Sequence, residues 1–269
     1  MSAHRPRKRF GQHFLQDRSV IERIVGAIAP GPGDTLVEIG PGEGVLTRVL
    51  LKHLPSMQAV EIDRDLADRL EAEFPHERLV VHRGDALQFD FGVLPAGTRV
   101  VGNLPYNIST PLLFHLSRWA ERWRDLHFML QREVVDRMVA APSTPEYGRL
   151  SVMLQTRFRM RCLFGVPPGA FRPPPKVDSA VVRLEPRSDA PLDGVDLRAF
   201  ERIVAGAFSA RRKTLRNSLS MEVADFTALG IDPMLRAENL SPEDFVRIAR
   251  HLAARGARLV GAHSGQDTT

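Results

Sequence analysis

The sequence predicts an α/β fold, in which a doubly wound and mostly parallel sheet carries helices on both faces and a small all-helical domain follows. Short apolar runs alternate with helix-patterned segments across residues 19–187, which is typical of a parallel sheet. A glycine-rich turn at residues 40–44 joins the first apolar run to a helix. Beyond residue 190 the apolar spacing is helical throughout, which indicates a separate domain.

Each element follows from its apolar pattern. The expected strands are 36–39, 58–61, 79–82, 99–102, 126–130, 160–166 and 180–184, the last of them antiparallel to its neighbour. The expected helices are 20–28, 45–50, 64–74, 111–119, 134–139, 150–157, 197–208, 214–219 and one that begins at Ser241. A capping box, Ser19 to Glu22, is expected to open the first helix.

Four segments follow from this pattern. They are a basic N-terminal arm at 1–18, the sheet domain at 19–187, a helical domain at 190–258 and a flexible tail at 259–269. The apolar part of the arm, residues 10–15, is expected to pack over another part of the chain. The net charge of +5 favours a polyanionic partner without proving one.

The composition also limits the compartment, the membrane association and the metal binding that are expected of this protein. A single cysteine, Cys162, excludes an internal disulfide framework and favours a reducing compartment. No apolar run reaches membrane-spanning length, and the basic N-terminus lacks the apolar core of a signal peptide. A cytoplasmic protein without a membrane partner is therefore expected. The nine histidines show no metal-ligand spacing, so no metal is expected.

The glycine turn has the pattern Glu38-x-Gly40-x-Gly42-x-Gly44, which differs from the G-x-G-x-x-G of nicotinamide-binding proteins. Glu61 ends the next apolar run, where a doubly wound fold places a ribose-binding carboxylate. Together these features indicate the S-adenosylmethionine site of class I methyltransferases. A tight turn that merely requires glycine, with Glu61 as a surface acid, is the competing interpretation.

Asp85 follows the third predicted strand, and it can accept a hydrogen bond from an adenine amino group. An Asx-type turn is the alternative for this residue. Gly40, Glu61, Asp85 and Asn103 all fall just past the carboxyl ends of predicted strands. Ligands lie at that edge in doubly wound sheets, so these residues are expected to converge.

Asn103-Leu104-Pro105-Tyr106 is the most specific pattern in the chain. The lone pair of an exocyclic adenine amine is delocalised, so methylation requires both N–H groups to be held while the lone pair faces the donor. The Asn103 side-chain oxygen and the Leu104 carbonyl can accept them, because Pro105 keeps the preceding backbone extended. Tyr106 can stack on the base, and Phe171 can close its other face. A proline turn and a packing phenylalanine are the competing interpretations.

A basic cluster follows in the helical domain. Arg211, Arg212, Lys213 and Arg216 place four cations within six positions, which is denser than a typical solvated helix face. These residues are predicted to contact RNA phosphates.

Taken together, these segments resemble the ribosomal RNA adenine N6-dimethyltransferase family, and within it the bacterial small-subunit enzymes. The matching segments run in order along nearly the whole chain: 8–15, 38–44, Glu61, 84–86, 103–106, 131–133, 171–179 and 211–219. The resemblance implies a Rossmann-like class I methyltransferase sheet with one antiparallel strand. It also implies a helical C-terminal domain that contacts RNA and the ribosome.

The resemblance further implies methyl transfer from S-adenosylmethionine to two adjacent adenosines near the 3′ end of small-subunit rRNA, two methyls on each. The implied substrate is an assembling 30S subunit, and the chain is expected to act as a monomer. Residues 1–18 become a lid over the cofactor. The implied cofactor contacts are His13 and Leu15 in the lid, Gly40 beneath the cofactor, Glu61 at its ribose, Asp85 at its adenine and Asn103 beside the substrate. The family more often has asparagine at His13, which puts a side-chain contact there in question.

Three other functions compete with this one. The large-subunit rRNA methyltransferases of the macrolide-resistance type share the donor site, but they tend to have isoleucine where this chain has Leu104. A non-catalytic RNA-binding or transcription factor on the same fold is opposed by the intact 103–106 pattern. A nicotinamide dehydrogenase fails on the glycine spacing.

Overall fold

The computed structural model describes residues 13–189, 191–210, 212–219 and 221–263. Its strands are β1 (Phe14–Leu15), β2 (Leu36–Ile39), β3 (Met57–Glu61), β4 (Leu79–Arg83), β5 (Thr98–Asn103), β6 (Trp123–Gln131), β7 (Phe158–Val166), β8 (Phe171–Arg172) and β9 (Ser179–Pro186). Its α-helices are α1 (Arg18–Ile28), α2 (Val45–Leu50), α3 (Arg64–Glu73), α4 (Ser109–Ser117), α5 (Arg132–Val139), α6 (Arg149–Gln155), α7 (Leu197–Ala207), α8 (Leu215–Ser218), α9 (Val223–Leu229) and α10 (Pro242–His263).

Seven strands form one sheet in the order β4–β3–β2–β5–β6–β9–β7, and β1 pairs with β8 separately. Among the described strands of the large sheet, β9 runs antiparallel to both of its neighbours, β6 and β7, and the other pairings are parallel. The predicted fold class, a mostly parallel sheet with one antiparallel strand, is confirmed. From β2 the chain proceeds through β3 to β4 on one side and then returns to β5 and β6 on the other. The strand order therefore reverses between β2 and β5, where such folds bind ligands.

The close pairing of β2 with β5 sets the geometry at that reversal. Ile39 lies opposite Gly102 in the parallel register, so Gly40 and Asn103 leave the sheet side by side. A Cβ at Gly102 would lie 2.6 Å from the Ile39 carbonyl oxygen, a distance that real Cβ atoms do not show. Glycine at this position therefore permits the two strand ends to approach.

A buried ion network fastens α1 to the opposite end of the same strands. The Arg99 side chain is only 4% exposed, and it donates to Asp125 at 2.8 Å and to Asp34 at 2.8 Å. It also donates to the carbonyls of Ile28 and Ala29 at the end of α1. With its five N–H donors, one guanidinium connects a helix end to two strands.

The described chain divides into two compact units. One contains the chain up to Asp136 and Phe158–Pro186, and the other contains Arg137–Arg157 and the chain from Arg187 onward. The predicted boundary near residue 187 had assigned 137–157 to the sheet domain, whereas this segment belongs to the second unit. In that segment α6 packs against α7 and α10, and the Tyr147 hydroxyl donates to the Leu240 carbonyl at 2.9 Å. The pattern of α6 did not reveal this, because an apolar helix face suits either unit.

Two element ends differ from expectation for identifiable reasons. The predicted capping box is wrong, because α1 begins earlier and the Asp17 carboxylate accepts from the N–H groups of Ser19 and Val20. The expected tail is helical as far as His263, since no proline interrupts α10. Residues 264–269, like residues 1–12 of the predicted arm, lie outside the described residues.

Candidate active site

A cavity of about 280 Å³ opens at the carboxyl ends of β2, β3, β4 and β5, where doubly wound sheets bind ligands. It brings together residues that the sequence predicted from five separate stretches. Those that line it are His13, Leu15, Gly40, Glu61, Asp85, Asn103, Leu104, Pro105 and Tyr106. The predicted donor-binding and base-binding residues therefore share one chamber.

The glycine turn between β2 and α2 forms one wall. Gly40, Gly42 and Gly44 have φ values of +64°, +58° and +73°, which residues with a side chain rarely adopt. A Cβ at Gly42 would lie 3.1 Å from the ring of Phe14 in β1. The turn therefore passes close to β1 and presents bare main chain to the cavity.

Glu61 ends β3, and its side chain is buried at the cavity wall. Its two carboxylate oxygens accept from the N–H groups of Gly42, at 3.0 Å, and Asp63, at 2.9 Å. Burial raises the pKa of Glu61, and the backbone hydrogen bonds oppose that shift. The carboxylate is thus held in a fixed orientation and retains lone pairs for a hydroxyl donor.

Glu38 also lines the cavity, although the sequence pattern gave it no role. Its side chain is buried, and the Thr47 hydroxyl donates to it at 2.6 Å. Burial raises the pKa of Glu38 to about 7, with the Thr47 hydrogen bond opposing the shift and the charge of Glu61 adding to it. The carboxylate before the first glycine of the turn was the signal that could have assigned this residue.

Asp85 forms the turn that the sequence offered as one interpretation, and its position is compatible with the other. Its Oδ1 accepts the N–H of Leu87 at 2.9 Å, which forms an Asx-type turn. The same residue lines the cavity. Because a carboxylate has two oxygens, the turn leaves acceptor capacity for an amino group.

Asn103 is the last residue of β5, and its side chain is oriented by the main chain of His13. The Asn103 Nδ2 group donates to the main-chain carbonyl of His13 at 3.0 Å. A carbonyl only accepts hydrogen bonds, so this contact fixes the amide nitrogen toward His13. The Asn103 oxygen is consequently the atom that remains for an N–H donor in the cavity.

The backbone after Asn103 is held by two neighbours. The Leu104 N–H donates to the Met129 carbonyl at 3.1 Å. The Pro105 carbonyl accepts from the Ser109 hydroxyl at 2.9 Å and from the Ile108 N–H at 3.2 Å. The Pro105 carbonyl is thus engaged by the start of α4, and it does not compete with Leu104 as an acceptor for a ligand.

Tyr106 lines the cavity, and its hydroxyl is anchored to β9. The hydroxyl is hydrogen-bonded to Ser179 Oγ at 2.8 Å, and burial raises its pKa. The Tyr106 ring stacks with the imidazole of His13, with 5.7 Å between centroids and 27° between planes. The two rings form one boundary of the chamber.

Phe171 is not among the residues that line the cavity, although it lies beside one of them. Phe171 belongs to β8, pairs with Leu15 of β1 and is 4% exposed. Its side chain packs in a core cluster that also contains Met129 and Val181. Met129 and Val181 also line the cavity, so burial in this cluster does not decide whether Phe171 contacts a bound base, and that contact stays a prediction.

His127 is a cavity residue that the sequence did not reveal. It lies within β6, is 2% exposed, and neither ring nitrogen has a hydrogen-bond partner among the described residues. Its Nδ1 lies 3.6 Å from Asp125 Oδ1. Burial lowers the pKa of His127 to about 4, so the ring is neutral at pH 7. One histidine within an apolar strand has no sequence signal that separates it from a core residue.

The predicted basic cluster is partly described. Arg212 and Lys213 precede α8, Arg216 lies within it, and all three are exposed. Arg211 lies outside the described residues. The described members of the cluster are therefore accessible to a polyanion.

The described part of the chain has neither a metal-binding cluster nor a membrane-spanning helix. No group of three or more His, Cys, Asp or Glu side chains there is arranged to hold a metal ion. Within the same residues, no helix combines the length and apolar character needed to cross a membrane.

A doubly wound sheet in this strand order, with a glycine turn and a buried acid at adjacent strand ends, defines the Rossmann-like methyltransferase class. Comparison with known proteins narrows that class. The sequence profile described as Ribosomal RNA adenine dimethylase matches residues 3–254. The chain belongs to the ribosomal RNA adenine dimethylase family.

Two relatives match over nearly their full lengths, and both are described as Ribosomal RNA small subunit methyltransferase A. The protein of Thiobacillus denitrificans is 61% identical over 94% of this chain and 100% of its own length. The protein of Aromatoleum aromaticum is 58% identical over 97% of this chain and 99% of its own length.

Two solved structures share the fold. A dimethyladenosine transferase from Plasmodium falciparum has a TM-score of 0.79 at 24% identity, covering 91% of this chain and 98% of its own. The 23S rRNA methyltransferase ErmE has a TM-score of 0.68 at 28% identity, covering 89% of this chain and 99% of its own. The likeness therefore extends along most of the chain.

Proposed function

We propose that this protein uses S-adenosylmethionine to dimethylate N6 of two adjacent adenosines in the 3′-terminal hairpin loop of small-subunit (16S) rRNA. One observation carries the proposal: Gly40 and Asn103 leave adjacent strands and line the same cavity. The similarity to small-subunit enzymes at 61% and 58% identity favours this substrate over large-subunit rRNA, since ErmE is only 28% identical.

The residues present fit an adenosyl donor. The fixed carboxylate of Glu61 suits the ribose hydroxyls, and Asp85 suits the adenine amino group. Ile62 lines the same cavity with 44% exposure and offers an apolar surface for the adenine ring. The bare main chain at Gly40 admits the remainder of the donor, and Leu15 covers it from the lid.

The donor supplies an electrophilic methyl group when bound, and this chain supplies the positioning. We assign one N–H of the target amine to the Asn103 side-chain oxygen and the other to the Leu104 carbonyl. Tyr106 stacks on the extruded base. As a bond forms between N6 and the methyl carbon and the carbon–sulfur bond breaks, the two oxygens stabilise the positive charge on N6. The amine becomes acidic only then, so its proton can pass to water without a strong base.

The exposed cations of the helical domain are proposed to hold the rRNA backbone. Arg212, Lys213 and Arg216, together with Arg211, would neutralise phosphates without reading sequence. The partner is then an assembling 30S subunit, on which the protein acts as a monomer in the cytoplasm.

The proposal is tested by incubating the protein with methyl-labelled S-adenosylmethionine and separate immature 30S and 50S subunits. Label is expected in the small subunit, and digestion of its RNA should release N6,N6-dimethyladenosine. Mature 30S subunits, whose target is already dimethylated, are the matched control and should take up no label. Label confined to the large subunit would contradict the proposal.

A further inference from the structure

The edge strand β7 carries two arginines that the candidate active site does not use. β7 is the last strand of the large sheet, and Arg159 and Arg161 are both exposed along it. Alternate residues of a strand share a face, so the two guanidinium groups lie on one side of the sheet. No ion pair joins either of them to another described residue. Charge on an edge strand also prevents pairing with another chain, so exposure alone does not indicate a ligand.

The register across β9 adds a cost that protection of the sheet edge does not require. Arg161 lies directly opposite Arg183 of β9, and like charges in that arrangement destabilise a sheet. The nearby carboxylates are already engaged, because Arg183 contacts Glu185 at 2.9 Å and Asp125 at 3.4 Å. A negatively charged ligand beside Arg161 would relieve this repulsion.

A third arginine lies over an aromatic ring on the same face. The guanidinium carbon of Arg23, in α1, is 4.0 Å from the centre of the Phe164 ring. The partner of Phe164 is Val181, which shares a face of β9 with Arg183. The ring therefore lies on the face that carries Arg161. Arg23 is exposed, and a guanidinium plane backed by an aromatic ring can carry a nucleic-acid base on its other side.

These cations follow β7 away from the candidate active site. The last residue of β7, Val166, lies opposite Ser179, whose hydroxyl is hydrogen-bonded to Tyr106. β6 and β7 both run antiparallel to β9, so β7 ends at the edge of the sheet that holds the cavity. Along the strand, Arg159 and Arg161 are about 7 Å apart, which is close to the phosphate repeat of an extended single strand of RNA.

We propose that Arg23, Arg159 and Arg161 form an arginine track for a single-stranded segment of the rRNA that leads away from the target adenosines. This inference rests on the proposed function for the identity of the RNA. Arg159 and Arg161 contact successive phosphates, and Arg23 stacks on a base nearer the site. The track binds without reading sequence. It belongs to the unit that contains the sheet, whereas the basic cluster at Arg216 belongs to the other unit.

The test measures binding to immature 30S subunits by filter binding across a salt series. Arg159→Gln with Arg161→Gln keeps polar side chains at the sheet edge and removes two charges. Because each phosphate contact of a single strand contributes about 0.7, this pair should flatten the slope of log binding constant against log salt concentration by about 1.4. Arg159→Lys with Arg161→Lys should keep the wild-type slope. Arg23→Lys keeps the charge but loses the plane, so its Kd should rise at least about fivefold at an unchanged slope.

Lys52→Gln with Arg118→Gln is the matched control. It removes two exposed cations of the same unit that follow α2 and α4, at the opposite edge of the sheet, and it should keep the wild-type slope. An unchanged affinity for S-adenosylhomocysteine shows that each variant is folded.

The track is overturned if the glutamine pair keeps the wild-type slope, if the lysine pair loses it, or if the control pair flattens it equally. A wild-type Kd in Arg23→Lys would overturn the stacking contact. Binding is measured without methyl transfer, so its result is separate from that of the labelling experiment. A wild-type protein that binds 30S subunits but labels none would sink the proposed function and leave the track in place.

Discussion

Asn103 is the residue on which proposed catalysis depends most directly. Asn103→Ala removes an acceptor for the target amine and leaves the donor-binding wall intact. We expect kcat to fall about a hundredfold or more, because a misplaced reacting group costs at least that much. Calorimetry should find the affinity for S-adenosylhomocysteine unchanged. Gln88→Ala, at an exposed amide, is the control; retained turnover in Asn103→Ala would refute the assigned role.

Glu38 makes stability depend on pH in a predictable direction. Its pKa is 4.5 in an unfolded chain and about 7 in the folded protein, so the folded state holds the proton more tightly. The stabilisation is complete below pH 4.5 and is lost as the pH rises through 7. Glutamine stays neutral at every pH. As the pH rises from 4.5 to 8, the free energy of unfolding of Glu38→Gln should therefore increase by about 3 kcal/mol relative to that of wild type. Urea unfolding at several pH values measures this, and parallel pH profiles would contradict it.

For individual residues, the sequence predicted those site residues whose roles depend only on their immediate neighbours in the chain. Asn103 to Tyr106 form one contiguous pattern with a single chemical purpose, and the structure places all four at the cavity. The roles of Phe171 and His127 could not be predicted from their neighbours in the sequence. Whether a ring in a proline loop or an imidazole in a strand faces a ligand depends on which distant segment packs beside it, here β1 for Phe171.

Among the elements, the pairing of β2 with β5 positions the site, and it depends on one glycine. Gly102→Ala would press a methyl group against the Ile39 carbonyl. We expect a loss of about 1–3 kcal/mol in the free energy of unfolding, with weaker S-adenosylhomocysteine binding because Gly40 and Asn103 move apart. Gly26→Ala in α1 meets open space and should instead stabilise by about 0.5–1 kcal/mol. Equal effects of the two substitutions would argue against this geometry.

The Arg99 network is predicted to be the main polar support of α1 on the sheet. Arg99→Ala leaves the buried carboxylate of Asp125 without its principal partner, which should cost about 3–5 kcal/mol. Arg124→Ala is the control, because Arg124 contacts the same Asp34 from a side chain that is 60% exposed. That variant should lose at most about 1 kcal/mol. Denaturant unfolding compares them, and a mild Arg99→Ala variant would show that the network is dispensable.

The elements themselves were largely predictable, since alternating apolar runs specify a parallel sheet. Two features were not. The two-residue strands β1 and β8 are too short to show any periodicity, yet their pairing sets the cavity residue Leu15 opposite Phe171. The helix α6 was recognised, but its apolar face did not identify the unit against which it packs.

For the whole molecule, the central electrostatic prediction is a salt-dependent hold on rRNA. Each phosphate contact contributes about 0.7–0.9 to the slope of log binding constant against log salt concentration. Arg212→Ala with Arg216→Ala should weaken 30S binding and flatten that slope by up to two such contributions. Arg198→Ala with Arg202→Ala removes two exposed arginines of the same spacing from α7 and should leave the slope unchanged. Filter binding across a salt series distinguishes them, and identical slopes would remove the cluster from the interface.

The most direct measurement is a crystal structure of the protein with S-adenosylhomocysteine. The ligand should occupy the cavity with its ribose on Glu61 and its sulfur directed at the space beside Asn103, leaving room for an adenine against Tyr106. A ligand bound elsewhere, or a sulfur that faces away from Asn103 behind packed side chains, would mean that donor and target base do not meet there.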